Sequence, residues 1–180
     1  TNKPVSVVID PVFLLSGEKW LELTHPLEIC EPYILCYYLS VTPTAVRFVN
    51  KLRKITGYKV IYLNHNAIDK FGCDKEIRDY DPIDFISYIS HATIVCTNSF
   101  HCSAFSIIFE RSFYFVPGLR NKRVEALQEV FELGDRFVSE KLIETITIDS
   151  IPISYDKGRD KSCDYINESV DYLKKSLNLK

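Results

Sequence analysis

The sequence predicts an α/β domain built on a doubly wound, mostly parallel sheet. Three observations predict it. Short apolar runs alternate with amphipathic stretches, the pattern of strands joined by crossover helices. Two of the amphipathic stretches open with a capping residue followed by proline. No internal repeat or low-complexity segment breaks the alternation.

Taken in order, Val5-Ser6-Val7-Val8-Ile9 reads as a strand ended by Asp10-Pro11. Residues 12–32 are mixed, carry Trp20, and read as a connector with some helix. Tyr33 to Leu39 is a continuous apolar run, hence a buried strand. Thr42-Pro43 caps and starts a helix whose apolar residues Val46, Val49, Leu52 and Ile55 recur at helical spacing, and Gly57 ends it. Lys59 to Leu63 is the next strand. Residues 64–80 are polar, contain Gly72, and read as a loop. Asp81-Pro82 opens a second helix, with Phe85, Ile86 and Ile89 on its inner face. Thr93 to Thr97 is a short buried strand. Phe100 to Glu110 is apolar nearly all round, as a buried helix is. Phe113 to Val116 is a strand stopped by Pro117-Gly118, and Asn121 to Leu133 a helix with Val124, Leu127, Val130 and Phe131 inward. Arg136-Phe137-Val138 fits a short last strand, and residues 140–156 favour no one element. Residues 158–177 predict a long helix with Ile166, Val170, Leu173 and Leu177 on one stripe. Strands alternating with helices in this order give a Rossmann-like sheet. No G-x-G-x-x-G follows any strand, so the dinucleotide fingerprint is absent.

Composition narrows the function classes. At 180 residues and 46% hydrophobic, the chain can bury a core without covalent staples. Its net charge of -2 disfavours a general nucleic-acid binder, which is usually basic. Six cysteines form no C-x-x-C pair, which disfavours a zinc site, and Cys36 and Cys96 lie inside apolar runs as small hydrophobes. Free thiols of this kind suit a reducing cytosol, and no metal ligand set is expected. No apolar run approaches the roughly 18 residues of a membrane span. The chain opens Thr1-Asn2-Lys3-Pro4 without Met, as a fragment or trimmed chain would.

Open α/β sheets bind ligands outside the carboxyl ends of their strands, and two such ends carry chemistry here. The first is Thr97-Asn98-Ser99-Phe100-His101. Asn98 or Ser99 would cap the following helix, whose N-terminus favours anions. His101 in its first turn could donate to an anion or act as a general acid. The plain structural alternative leaves Ser99 a cap and His101 a satisfied surface group. The second end is Leu119-Arg120-Asn121-Lys122-Arg123. Cations at a helix N-terminus are unfavourable unless an anion offsets the dipole, so Arg120, Lys122 and Arg123 hint at a bound phosphate or carboxylate. A solvated basic loop is the alternative. His65 follows a strand end and could face the same crevice; His25 and His91 have weaker claims.

These stretches resemble a known family. Asp81 to Ile86, Thr97 to His101, Ala104 to Ile108, Asn121 to Val124, and Val8 to Leu15 with Trp20 after it are similar to the polysaccharide pyruvyl transferases. The resemblance runs from about residue 5 to the terminal helix and departs from the family at Cys102, where Gly is common. It implies the C-terminal domain of a GT-B-type transferase, with residues 1–32 a connector and strand leading from a missing N-terminal domain and 33–180 the Rossmann-like domain. It implies transfer of a pyruvyl group from phosphoenolpyruvate to a sugar of a surface polysaccharide, with a glycan or lipid-linked acceptor and no cofactor besides the donor substrate. His101 would be the catalytic or donor-binding histidine, and Lys122, with Arg120 and Arg123 near it, would hold phosphoenolpyruvate. The resemblance places the protein in the cytoplasm or peripherally at the inner membrane face, and implies that this chain alone is inactive. Two other readings compete. One is a nucleotide-sugar glycosyltransferase donor domain, in which Glu125 or Glu129 would bind a ribose; the other is a non-catalytic binding domain.

Overall fold

The structure, a computed structural model, describes residues 6–66, 71–117 and 122–178. Among the described residues, five strands form one parallel sheet: β1 Tyr33–Tyr37, β2 Lys59–Leu63, β3 Lys75–Ile77, β4 Ile94–Thr97 and β5 Ser112–Phe115. Their spatial order is β3-β2-β1-β4-β5. The α-helices that accompany them are α1 Gly17–Leu21, α2 Pro43–Thr56, α3 Pro82–His91, α4 Phe100–Ile108, α5 Lys122–Phe131, α6 Glu140–Thr145 and α7 Arg159–Ser176.

Side-chain alternation splits the core between the two faces of the sheet. Tyr33, Leu35, Ile61, Leu63, Val95, Phe113 and Phe115 point to one face, which α3, α4 and α5 cover. Ile34, Cys36, Val60, Tyr62, Ile94, Cys96 and Tyr114 point to the other, which α2 covers. The chain therefore winds one way from β1 and the other way from β4, and the neighbours β1 and β4 flank the switch point. Helix starts follow the local chemistry. Thr42 Oγ1 accepts from the Ala45 N–H, and Asp81 and Asp84 form a reciprocal capping box. Gly57 closes α2 at φ 72°, a left-handed position that a side chain would strain.

Several expectations change. The residues of the first apolar run that the structure describes, Ser6 to Ile9, form no strand. The Ile9 N–H donates instead to Ser169 Oγ of α7 at 3.0 Å. Asp10-Pro11 starts a 3-10 turn, Pro11–Leu14, by the same cap-then-proline logic as Thr42-Pro43. Ile9 and Phe13 enter the main core, and Trp20 lies edge-on to Phe105. The polar stretch 64–80 contains β3, an edge strand of three residues of which two are exposed, so no apolar signal marked it. The inner face of α2 is Ala45, Phe48, Val49 and Leu52, with Val46 and Ile55 only half-buried. Residues 134–136 form a 3-10 turn, and Phe137 makes a single bridge to Phe115 in place of a strand. In α7 the buried residues are Ser162 and Ser169, Leu177 is exposed, and Gly158 brings the helix start against the backbone of Phe131. Ile166 packs against the main core and Val170 and Leu173 are half-buried, so the apolar stripe marks the inward side, and Ser162 and Ser169 beside it let the helix lie close. No helix of the described residues is long and apolar enough to cross a membrane.

Candidate functional site

Helix α4 runs from the carboxyl end of β4, beside the switch point, and touches α3, α5 and the Pro11–Leu14 turn. Phe100 and every residue from Cys102 to Ile107 are buried, and His101 alone in the helix is exposed. An apolar helix with a single exposed imidazole in its first turn presents that imidazole to whatever occupies the strand ends. Local hydrogen bonds hold the turn. Thr97 Oγ1 donates to the Tyr37 carbonyl at 2.6 Å and accepts from the Ser99 N–H at 3.0 Å. Ser99 Oγ accepts from the Cys102 N–H, and Ser103 Oγ donates back to the Ser99 carbonyl.

A cleft of about 530 Å³ opens at these ends, lined by Tyr37, Leu39, Tyr80 to Pro82, Phe85, Ser99, Phe100, His101 and Arg123. Its walls thus come from the ends of β1, β3 and β4 and from the first turn of α5 after β5. One end is polar and carries an ion pair. His101 Nε2 lies 3.8 Å from Asp10 Oδ2, Arg123 Nη2 donates to the same oxygen at 2.6 Å, and the Arg123 guanidinium stacks 3.9 Å from the Phe100 ring centroid. The other end is aromatic. Tyr37 meets Phe85 edge-on at 5.0 Å. Burial raises the Tyr37 hydroxyl above its ordinary range and pushes Tyr80 up to about 12, so both are neutral hydroxyls near pH 7. Cys102 is buried, and desolvation pushes its thiol up to about 12, which makes it packing rather than a nucleophile.

The structure brings Ser99, His101 and Arg123 to one cleft. Asn98 serves elsewhere. Its Oδ1 accepts from the Leu39 N–H at 2.7 Å and its Nδ2 donates to the Ser40 carbonyl at 2.9 Å. It ties the ends of β1 and β4 together across the switch point. Lys122 is exposed at the start of α5 and does not line the cleft. Arg120 lies outside the described residues. Glu125 and Glu129 border a different hollow with Glu132 and Lys161, and neither lines the cleft of His101. His65 is exposed and meets the Tyr37 ring without lining the cleft. His91 bonds the Ser87 carbonyl at the end of α3. Sequence reasoning missed Asp10, Tyr37, Tyr80 and Phe100 as site residues. Asp10 carried a signal, since Asp-Pro after an apolar run is a helix-start signature; the tyrosines were indistinguishable from core. Among the described residues no group of three or more His, Cys, Asp or Glu side chains could hold a metal ion.

His25 pairs instead with Asp84 of the α3 capping box, Nε2 to Oδ1 at 2.7 Å. Its bond with the Pro26 carbonyl and then Asp84 raise its pKa, while the Asp81 N–H bond and then His25 lower that of Asp84. A raised His25 favours the fold below its ordinary value, and that support is lost as pH rises through the raised value. A lowered Asp84 favours the fold above its ordinary value and loses the support as pH falls through the lowered one. His25→Gln is therefore expected to destabilise the protein modestly at mildly acidic pH and to match the parent at alkaline pH. Urea midpoints of both proteins across pH check this, and a difference that grows with pH would contradict it.

A family model described as polysaccharide pyruvyl transferase matches residues 1–118. No curated protein sequence is significantly similar to the chain. Among solved structures, the chain is similar to UDP-GlcNAc 2-epimerase from Methanocaldococcus jannaschii at 13% identity and a TM-score of 0.49, over 86% of this chain and 48% of that one. It is also similar to the iron-containing heptosyltransferase TibC at 14% identity and a TM-score of 0.43, over 87% of this chain and 48% of that one. The chain spans about half the length of the two solved proteins. The matched residues include Asp10, Tyr37, Tyr80 and His101 and end before Arg120, Lys122 and Arg123.

Proposed function

Because the chain belongs to the polysaccharide pyruvyl transferase family, we propose that its cleft is the donor side of an enzyme that moves a pyruvyl group from phosphoenolpyruvate to a sugar of a surface polysaccharide. The observation that carries this reading is the exposed His101 on an otherwise buried helix, beside Arg123, at the sheet's switch point. Phosphoenolpyruvate bears a phosphate and a carboxylate. A helix N-terminus and a cationic side chain complement two such groups.

In this reading His101 gives a proton to the enol methylene carbon, which becomes a methyl group. The adjacent carbon becomes electrophilic and is attacked by an acceptor hydroxyl oxygen, whose proton returns to the imidazole. The bond to phosphate then breaks, phosphate leaving with the electron pair and the carbon becoming electrophilic again. A second acceptor hydroxyl attacks that carbon, closes the cyclic ketal and gives its proton to the released phosphate. Arg123, which lines the cleft, would stabilise the departing charge. The acceptor, a glycan or lipid-linked sugar, would be held mainly by an N-terminal domain facing the cleft. A cytoplasmic or inner-membrane setting follows from the same reading.

Titration of phosphoenolpyruvate against thermal stability tests the donor assignment. A ligand that binds only the native state stabilises it by about 2.7 kcal/mol at a hundredfold excess over Kd. The expected result is an upward shift in the parent that disappears in the His101→Ala, Arg123→Ala double variant. A shift produced by a UDP-sugar and not by phosphoenolpyruvate would replace this reading with a nucleotide-sugar transferase.

A further inference from the structure

We propose that Asp10 is a positioning residue of the cleft, holding Arg123 over Phe100 and facing the imidazole of His101; the identity of the bound anion rests on the donor-side reading above, the positioning does not. Asp10 belongs to the stretch that leads into the domain, 113 positions before Arg123. Its side chain is only 16% exposed. The two carboxylate oxygens act separately. Oδ1 accepts from the Val12 N–H at 3.2 Å and caps the Pro11–Leu14 turn, which fixes the plane of the group. Oδ2 then faces two residues that line the cleft, 2.6 Å from Arg123 Nη2 and 3.8 Å from His101 Nε2. The Arg123 side chain is 57% exposed and long. Such a side chain ordinarily samples many rotamers, and fixing it against one ring needs a partner. Asp10 supplies the partner on one edge of the guanidinium and Phe100 on its face. The guanidinium so held lines the cleft.

The alternative is a surface ion pair with no bearing on the site, the usual worth of an exposed Arg–Asp contact. The two views predict opposite signs. A carboxylate beside an anion site repels the anion, so removing its charge with no loss of order strengthens anion binding. If Asp10 positions Arg123, removing it weakens binding despite the relief of that repulsion.

Asp10→Asn and Asp10→Ser in the 180-residue chain separate these views, because both residues keep a cap acceptor for the Val12 N–H and so preserve the turn. Two measurements are made on parent and variants: the NMR signal of the Arg123 side-chain Nε–H, identified by its loss in Arg123→Lys, and the affinity for phosphoenolpyruvate by calorimetry at constant ionic strength. The expected results are a resolved, slowly exchanging Arg123 signal that moves to the position of solvated arginines in both variants, and affinity lower by about tenfold, the loss of one oriented charge-assisted contact. An Arg123 signal unchanged in both variants, or binding equal to or tighter than the parent's, overturns the proposal. A parent that binds no phosphoenolpyruvate while its Arg123 signal still depends on Asp10 upholds the positioning and removes the donor reading instead.

Discussion

Under the donor-side function proposed above, His101→Ala is expected to lower pyruvyl transfer by about 10²–10⁴-fold, the usual range for loss of a positioned general acid. The fold is expected to survive. The side chain is 52% exposed and its one ion-pair distance, to Asp10, is 3.8 Å. Exposed substitutions of this kind usually change stability by no more than about 0.5 kcal/mol. The neighbouring residues that hold α4, from Cys102 to Ile107, are untouched. Phosphate release from phosphoenolpyruvate with an acceptor present reports the rate, and the melting temperature reports the fold. Turnover retained near the parent rate would remove His101 from the chemistry. A large fall in melting temperature would make it a structural residue instead.

The largest stability effect is expected at a residue with no part in the chemistry. Arg136 is 4% exposed. Its Nη1 donates to the Ile151 carbonyl at 3.0 Å and reaches the Ser150 carbonyl at 3.4 Å, and its Nη2 donates to the Pro152 carbonyl at 2.8 Å. Its guanidinium lies over the Tyr114 ring, and its Nε faces the exposed Asp135 carboxylate at 3.5 Å, an ion-pair contact without hydrogen-bond geometry. One side chain thus satisfies the backbone of residues 150–152 and fastens it beside β5. Arg136→Met keeps the apolar stem and removes every donor. The Ile151 carbonyl is left a buried acceptor and the Pro152 carbonyl a part-buried one, while the Ser150 carbonyl keeps the Tyr114 hydroxyl; a buried acceptor costs about 1–3 kcal/mol when unpaired. The expected loss is about 3 kcal/mol, a large fraction of an ordinary domain's stability of about 5–15 kcal/mol. Urea denaturation of both proteins measures it. A loss under about 1 kcal/mol would mean that water replaces the guanidinium.

The same residue shows where sequence reading stops. Arg136-Phe137-Val138 has the composition of a short strand, and only the tertiary structure reveals that Arg136 is buried and serves a segment fourteen to sixteen positions away. Its burial depends on three carbonyls that no local pattern encodes. The edge strand β3 was invisible for the opposite reason: Lys75 and Glu76 are exposed, so its pairing with β2 leaves no apolar mark. The long terminal helix was legible in extent and in the inward stripe of Ile166, Val170 and Leu173, but apolar periodicity does not register the close approach that Ser162 and Ser169 allow.

By itself, the sequence determined the α/β class, four of the five sheet strands, the capped starts of α2 and α3, the buried character of α4 and the position of His101 at its first turn. These follow from short-range rules: period, capping chemistry and the length of apolar runs. The tertiary structure alone decided which of those elements meet. It brought Asp10 to Arg123 and His101, turned Asn98 into a tie between two loops, left Lys122 outside the cleft, and added Tyr37 and Tyr80 to the wall. The physical reason is that a parallel sheet wound in two directions collects the carboxyl ends of strands far apart in the chain. Which side chains share that edge depends on strand order and helix packing, and neither is written in any one stretch of residues.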